Sequence, residues 1–155
     1  MTEEEVAKYI GATMSLRRYV CIPNVTMSVR KKGTYEADLL IIPLHTRYVH
    51  EIEIKVSIED FRADFNKKIY HEHPHIAMLS YAFPEKLYRE HEEEITKTIG
   101  KDVGIKVVRK CGDVYTVKNA RRRKGAQQIR HDVLKDYMRI GCMKWCRDVR
   151  RPMWG

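Results

Sequence analysis

Apolar and polar positions recur along the chain with two different periods, and the changes of period divide it into elements. Thr2 stands before Glu3, Glu4 and Glu5 as a capping residue before acids, and Val6, Ile10 and Met14 follow at helical spacing. This predicts a helix over 3–19. Residues 20–29 alternate loosely and are rich in β-branched side chains, as a strand would be. The polar turn Arg30-Lys31-Lys32-Gly33 leads to a second strand over 35–43, and a third is expected at 48–56. Ser57 is a natural cap for a helix of about 58–72, with Ile58, Phe61, Phe65 and Ile69 on its apolar side. Residues 76–82 are apolar almost throughout, as in a strand buried on both faces. Pro84 opens another helix, with Leu87, His91 and Ile95 on one side and a dense acidic patch at 90–94 on the other. Two short strands at 104–108 and 114–117 flank a turn at Cys111-Gly112-Asp113, and a last helix runs from Gly125 to about Trp145. The expected fold is α/β: a single domain over 1–155 with a mixed central sheet flanked by helices.

Composition removes several function classes. Of 155 residues, 43% are apolar and 33% charged, which suits a globular chain and not a disordered one. No run approaches the roughly 18 apolar residues that span a bilayer, and the acidic start is unlike an export signal. A membrane or export role is therefore not expected, and the setting should be the cytoplasm. Cys21, Cys111, Cys142 and Cys146 are too few and too scattered for a disulfide framework, so free thiols in a reducing compartment are expected. The net charge of +9 is unevenly spread. Residues 1–100 carry 14 basic and 16 acidic side chains, whereas residues 101–155 carry 16 and 5. This basic C-terminal third, ending in a basic helix and tail at about 119–155, on a near-neutral body suits a polyanion such as DNA.

The sharpest chemistry lies on the third strand, His50-Glu51-Ile52-Glu53-Ile54-Lys55-Val56. Alternation puts Glu51, Glu53 and Lys55 on one face and Ile52, Ile54 and Val56 on the other. Two carboxylates and a lysine on one face of an otherwise apolar strand are costly to bury without compensation. On the preceding strand Glu36 and Asp38 share a face. If the two strands are antiparallel neighbours, Asp38 and Glu53 can share a divalent cation, and hard carboxylate oxygens suit Mg²⁺ or Mn²⁺. Lys55 would then orient or help deprotonate a water, or offset charge on a phosphate. The plain alternative is a solvated charged face balanced by Lys55.

Asp38, fourteen intervening residues and then Glu53-Ile54-Lys55 resemble the PD-(D/E)XK nuclease superfamily, whose signature is an acid on one strand and Glu-X-Lys on the next. The closer likeness is to its MmcB-like DNA-repair branch. It is carried by Ala37-Asp38-Leu39-Leu40, by Glu53-Ile54-Lys55-Val56-Ser57 and by Asp60-Phe61-Arg62-Ala63-Asp64. Lys67, Tyr70 and Pro84 after Tyr81-Ala82-Phe83 extend it, so that it covers roughly residues 35–90. Ala37 stands where the signature has proline, and Glu3, Glu4 and Glu5 are the candidates for the acid that many members carry on their first helix. The resemblance implies a restriction-endonuclease-like fold and metal-dependent hydrolysis of DNA phosphodiesters, in repair, recombination or phage DNA processing. It implies Asp38, Glu53 and the Ile54 carbonyl as ligands of Mg²⁺ or Mn²⁺, with Lys55 serving the water and Lys67, Lys68 and Tyr70 on the nucleic-acid backbone. It places the protein in a bacterial or phage-infected cell, with a homodimer or a repair-protein partner as open possibilities.

Other residues frame the rival readings. His71, His73 and His75 look like a zinc cluster, but Pro74 interrupts the spacing that helical zinc sites use. Cys142 and Cys146, with Cys111 and Cys21 distant, are a loose version of an iron–sulfur pattern. Asp60 is read as compensating the helix dipole and Asp64 as a partner of Lys67 or Lys68. Arg121, Arg122, Arg123 and Lys124 precede a helix bearing Arg130, Lys135, Arg139 and Lys144, and with Trp145 and Trp154 they offer phosphate and base contacts. A non-catalytic nucleic-acid-binding module of the same fold, acting through a repair partner, is the alternative function. A regulatory domain bearing zinc or a cluster is the third.

Overall fold

The computed structural model describes residues 1–65 and 73–150, with side chains as far as Cys146. The first helix, α1 (Glu3–Thr13), opens with a capping box in which Thr2 and Glu5 satisfy each other's backbone N–H groups. It stops six residues before the expected end. Beyond Ile10 nothing on it is buried in the core, and Leu16 is 93% exposed. Tyr19 and Val20 are instead drawn into pairing with Pro43 and Ile42.

Six strands follow in chain order across one sheet: β1 (Tyr19–Val29), β2 (Gly33–Pro43), β3 (Val49–Ile54), β4 (Ile76–Pro84), β5 (Gly104–Val108) and β6 (Val114–Lys118). The β1/β2, β2/β3 and β5/β6 pairs are antiparallel, and β3/β4 and β4/β5 are parallel. The parallel steps need crossovers. The first contains α2 (Ile58–Asp64), capped by Ser57, whose hydroxyl accepts from the Asp60 N–H at 3.2 Å. The second contains α3 (Glu85–Glu90) and α4 (Glu92–Thr98), because the single helix expected after Pro84 breaks at His91. The chain is thus a mixed α/β domain with helices on both faces of its sheet.

The last helix, α5 (His131–Arg150), starts six residues later than expected. Residues 119–130 form a strap instead, bent at Gly125 (φ +78°). Three backbone contacts hold it down: Arg121 N–H to the Asp102 carbonyl at 2.9 Å, Arg123 N–H to the Ala77 carbonyl at 2.8 Å, and Ile129 N–H to the Arg47 carbonyl at 3.0 Å. Burial of Ile129 beneath the sheet face outweighs the local helical pattern. Helix α5 packs over β1 and β2, while α2 to α4 cover β4 and β5 on the same side. Helix α1 covers the other face through Val6, Ala7 and Ile10 against Leu39, Ile41, Ile52 and Ile54. No helix among the described residues is long and apolar enough to cross a membrane.

Candidate active site

Strands β2 and β3 pair over only three residue pairs, Leu39 with Ile52, Leu40 with Glu51 and Ile41 with His50. Continuing that register by one residue sets Asp38 opposite Glu53, and there the strands part. The parting frees the Ile54 N–H, which donates to Asp38 Oδ2 at 2.7 Å and ties the two strands across the fork. Alternation along β3 buries Ile52 and Ile54 under α1 and turns Glu51, Glu53 and Lys55 to the opposite face. There all three are buried, with Glu51 and Glu53 fully enclosed and Lys55 2% exposed.

Such burial requires compensation, and α2 supplies much of it. Lys55 Nζ lies 2.7 Å from Glu53 Oε1, 3.1 Å from Asp64 Oδ1 and 3.5 Å from Asp60 Oδ2. The Tyr81 hydroxyl donates to Asp64 Oδ2 at 2.6 Å. Phe61, fully buried one turn before Asp64, meets Tyr81 and Phe83 edge-on and fixes the face that α2 presents. Asp64 turns inward onto Lys55 and Tyr81, and Asp60 joins the same ammonium; the expected partners of Asp64, Lys67 and Lys68, lie outside the described residues. Glu51 accepts a hydrogen bond from the Tyr35 hydroxyl at 3.1 Å.

The charges act on one another. Burial first, and then the charge of Glu53, push the Asp38 carboxyl up to about 8, against the Ile54 N–H and Lys55. Desolvation pulls the Lys55 ammonium down, but the charges and hydrogen bonds of Glu53 and Asp64 outweigh it and hold Lys55 above its ordinary value. Glu3 adds to the upward push on Asp38. Its neighbours are engaged elsewhere, Glu4 with Lys8 at 2.7 Å and Glu5 in the capping box.

The basic residues of the strap fare differently from one another. Arg121 donates its N–H to the Asp102 carbonyl and holds its guanidinium 3.9 Å from the Asp102 carboxylate. Arg122 lies over the Tyr48 ring at 4.4 Å, and Lys124 is exposed. Arg123 is half-buried, and its charge reaches Tyr35, beside Glu51. Lys67, Lys68, Tyr70 and His71 lie outside the described residues. His73 Nδ1 accepts the His75 N–H at 3.1 Å, and His75 Nδ1 lies 3.0 Å from the Tyr137 hydroxyl. Cys142 and Cys146 are exposed on α5, while Cys21 is half-buried, its thiol pushed up to about 11 by desolvation.

Among the described residues no group of three or more His, Cys, Asp and Glu side chains is disposed to hold a metal ion. Asp38 and Glu53, whose charges act on each other at the fork, are the carboxylates that could hold a hard cation, which uses only one or two of them. Such a cation would also relieve the crowding of negative charge that raises Asp38. The spacing of the sequence motifs points to Asp38, Glu53 and Lys55; Tyr35, Asp64 and Tyr81 escape it. The signals for Asp64 are its place in the 60–64 stretch of the resemblance and its position four residues after Asp60, which sets both on one side of a helix. No protein-family model, curated protein or solved structure matches the chain.

Proposed function

We propose that the protein is a metal-dependent nuclease of the PD-(D/E)XK kind that hydrolyses DNA phosphodiester bonds. One observation carries the reading: at the fork of β2 and β3, Asp38 lies within the field of a buried Glu53–Lys55 pair, and such a buried pair is commonly no gain over apolar packing. Asp38 and Glu53 would hold Mg²⁺ or Mn²⁺, with the Ile54 carbonyl as a further oxygen ligand. The bound cation supplies Lewis acidity, drawing charge from a phosphate and lowering the pKa of water. The oxygen of a water attacks phosphorus, one P–O ester bond breaks, and a proton passes to the leaving oxygen. Lys55, kept protonated between Glu53 and Asp64, steadies the charge that develops on the phosphate oxygens and is no proton acceptor near neutral pH. Arg121, Arg122, Arg123 and Lys124, together with Lys67, Lys68 and Tyr70, are the backbone contacts of this reading, with Arg121 also beside Asp102 and Arg122 over Tyr48.

The second reading, a binding module without catalysis, draws on the enclosure of Lys55 by three carboxylates, which leaves it closer to a structural ion pair. A panel of labelled single-stranded, duplex, flap and junction DNAs separates the two. Wild type and Lys55→Ala are incubated with Mg²⁺, Mn²⁺ or EDTA, and circular dichroism establishes that both are folded. Metal-dependent cutting by wild type and its loss in the variant are expected. Salt-sensitive binding without cutting on any substrate would replace the nuclease with the binding module.

A further inference from the structure

Beyond the fork, β1 and β2 continue together as a two-stranded arm. Their pairing runs to Val29 with Gly33, whereas β2 leaves β3 after Leu39. From Asp38 at the root to Lys32 at the tip is six residues, or about 20 Å at strand rise. An isolated hairpin of this length would be marginal. This one is backed by α5: Val25, Met27, Val29, Tyr35 and Ala37 form one core with Ile129, Leu134 and Tyr137. The indole N–H of Trp145 donates to the Cys21 carbonyl at 3.0 Å, and the Lys144 ammonium donates to the Asn24 carbonyl. The arm is therefore a fixed projection of the sheet.

Its tip and its uncovered face share one chemistry. Arg30, Lys31 and Lys32 are all exposed, at a turn closed by the Lys32 N–H on the Val29 carbonyl at 2.9 Å. Lys31 takes a left-handed backbone (φ +63°), a conformation that glycine or asparagine adopts more readily. The face away from α5 exposes Thr26, Ser28, Thr34 and one acid, Glu36. Hydroxyls and cations along a narrow ridge are phosphate-backbone donors and read no base sequence.

We propose that the β1–β2 arm grips the phosphate backbone of duplex DNA about 20 Å from Asp38, so that the tip cations clamp the duplex about six base pairs from the bond being cut. This rests on the nuclease reading for the position of the cut, but the grip can be measured without any cutting. The variant Arg30→Ala, Lys31→Gly, Lys32→Ala removes the charges and leaves a residue at position 31 that tolerates the backbone. The control Lys86→Ala, Lys97→Ala, Lys101→Ala makes the same change of charge on the far side of the fold.

Anisotropy of a labelled duplex of about 20 base pairs is followed in EDTA across a salt series. The arm variant is expected to bind about 10-fold more weakly at moderate salt, and its slope of log affinity against log salt to be shallower by about 2–3, near 0.9 for each phosphate released. The control keeps the wild-type slope. On a DNA hairpin with a stem of about four base pairs, too short to reach the tip, arm variant and wild type should bind alike. An unchanged slope in the arm variant overturns the arm and leaves the nuclease reading as it was; so does an equal fall in the control, which would assign the effect to bulk charge. A wild type that never cuts, but whose slope falls in the arm variant, keeps the arm and overturns catalysis. A wild type with no affinity for the duplex overturns the arm and leaves the nuclease reading to the cutting panel.

Discussion

Two lysine–glutamate pairs of almost the same length sit in opposite surroundings. On α4, Lys97 and Glu93 meet at 2.6 Å with side chains 74% and 82% exposed; at the fork, Lys55 and Glu53 meet at 2.7 Å with 3% and 0%. The first is the i,i+4 pair of a solvated helix, where water offers nearly as good a partner and the net gain is small. The second has given up its hydration and depends on Asp60, Asp64 and Tyr81 for replacement. Burial of such a pair is commonly no gain over an apolar pair of the same size. Distance therefore says little about what a pair contributes, and the enclosed pair is the one that calls for a functional reason.

The largest effect expected is the asymmetry between the two lysines. Lys55→Ala leaves Glu53 and Asp64 buried with their shared cation gone, and should destabilise the fold by about 3–5 kcal/mol. Lys97→Ala should leave the urea midpoint within error. Urea denaturation of both variants at pH 7 reads the difference directly. A Lys55→Ala protein as stable as wild type would mean that water already reaches the cluster, and the comparison would collapse.

A second break is set by pH at Asp38. Its ordinary value is 3.8, and burial beside Glu53 raises it to about 8 in the folded chain. The folded state thus binds the proton more tightly than the unfolded state. The stability this gives is complete below pH 3.8 and drains away as pH rises through about 8. Asp38→Asn removes the titration while keeping an oxygen for the Ile54 N–H. In metal-free buffer the variant should melt higher than wild type at pH 8, with the gap much narrower at pH 5, and cutting should be lost throughout. Mg²⁺ should raise the wild-type melting temperature more at pH 8 than at pH 6, because proton and cation compete for one carboxylate. Equal melting of the two proteins across this range would show that Asp38 is solvated and ionised.

How far the sequence foretold this region follows from which forces act locally. Glu51, Glu53 and Lys55 were legible on one face because strand alternation is a property of three neighbouring residues. The capping of α2 by Ser57 was legible for the same reason. Tyr81 was hidden in a strand that reads as purely apolar, since a tyrosine's ring packs as a hydrophobe while its hydroxyl reaches Asp64. The inward turn of Asp64 depends on that hydroxyl and on Lys55, both distant in sequence. The end of α1 and the strap before α5 were misplaced because tertiary contacts, Tyr19 and Val20 pairing with β2 and Ile129 entering the core, overrode a local helical pattern.

The smallest expected effect sharpens the comparison by adding salt. Arg62 on α2 holds Glu94 on α4 through two hydrogen bonds, 2.6 and 2.8 Å, with side chains 54% and 36% exposed. Its geometry is better than that of Lys55, and it joins two separate elements, so it tests whether geometry or burial governs. The screening length shrinks from about 10 Å in 0.1 M salt to about 3 Å in 1 M, which weakens exposed charge pairs and barely touches enclosed ones. Arg62→Ala should lower the melting temperature slightly in dilute buffer and not at all in 1 M NaCl. The loss caused by Lys55→Ala should be the same in both. If the Arg62 loss persisted undiminished at high salt, its bidentate geometry and the packing of its stem would outweigh exposure, and burial would no longer separate the two kinds of pair.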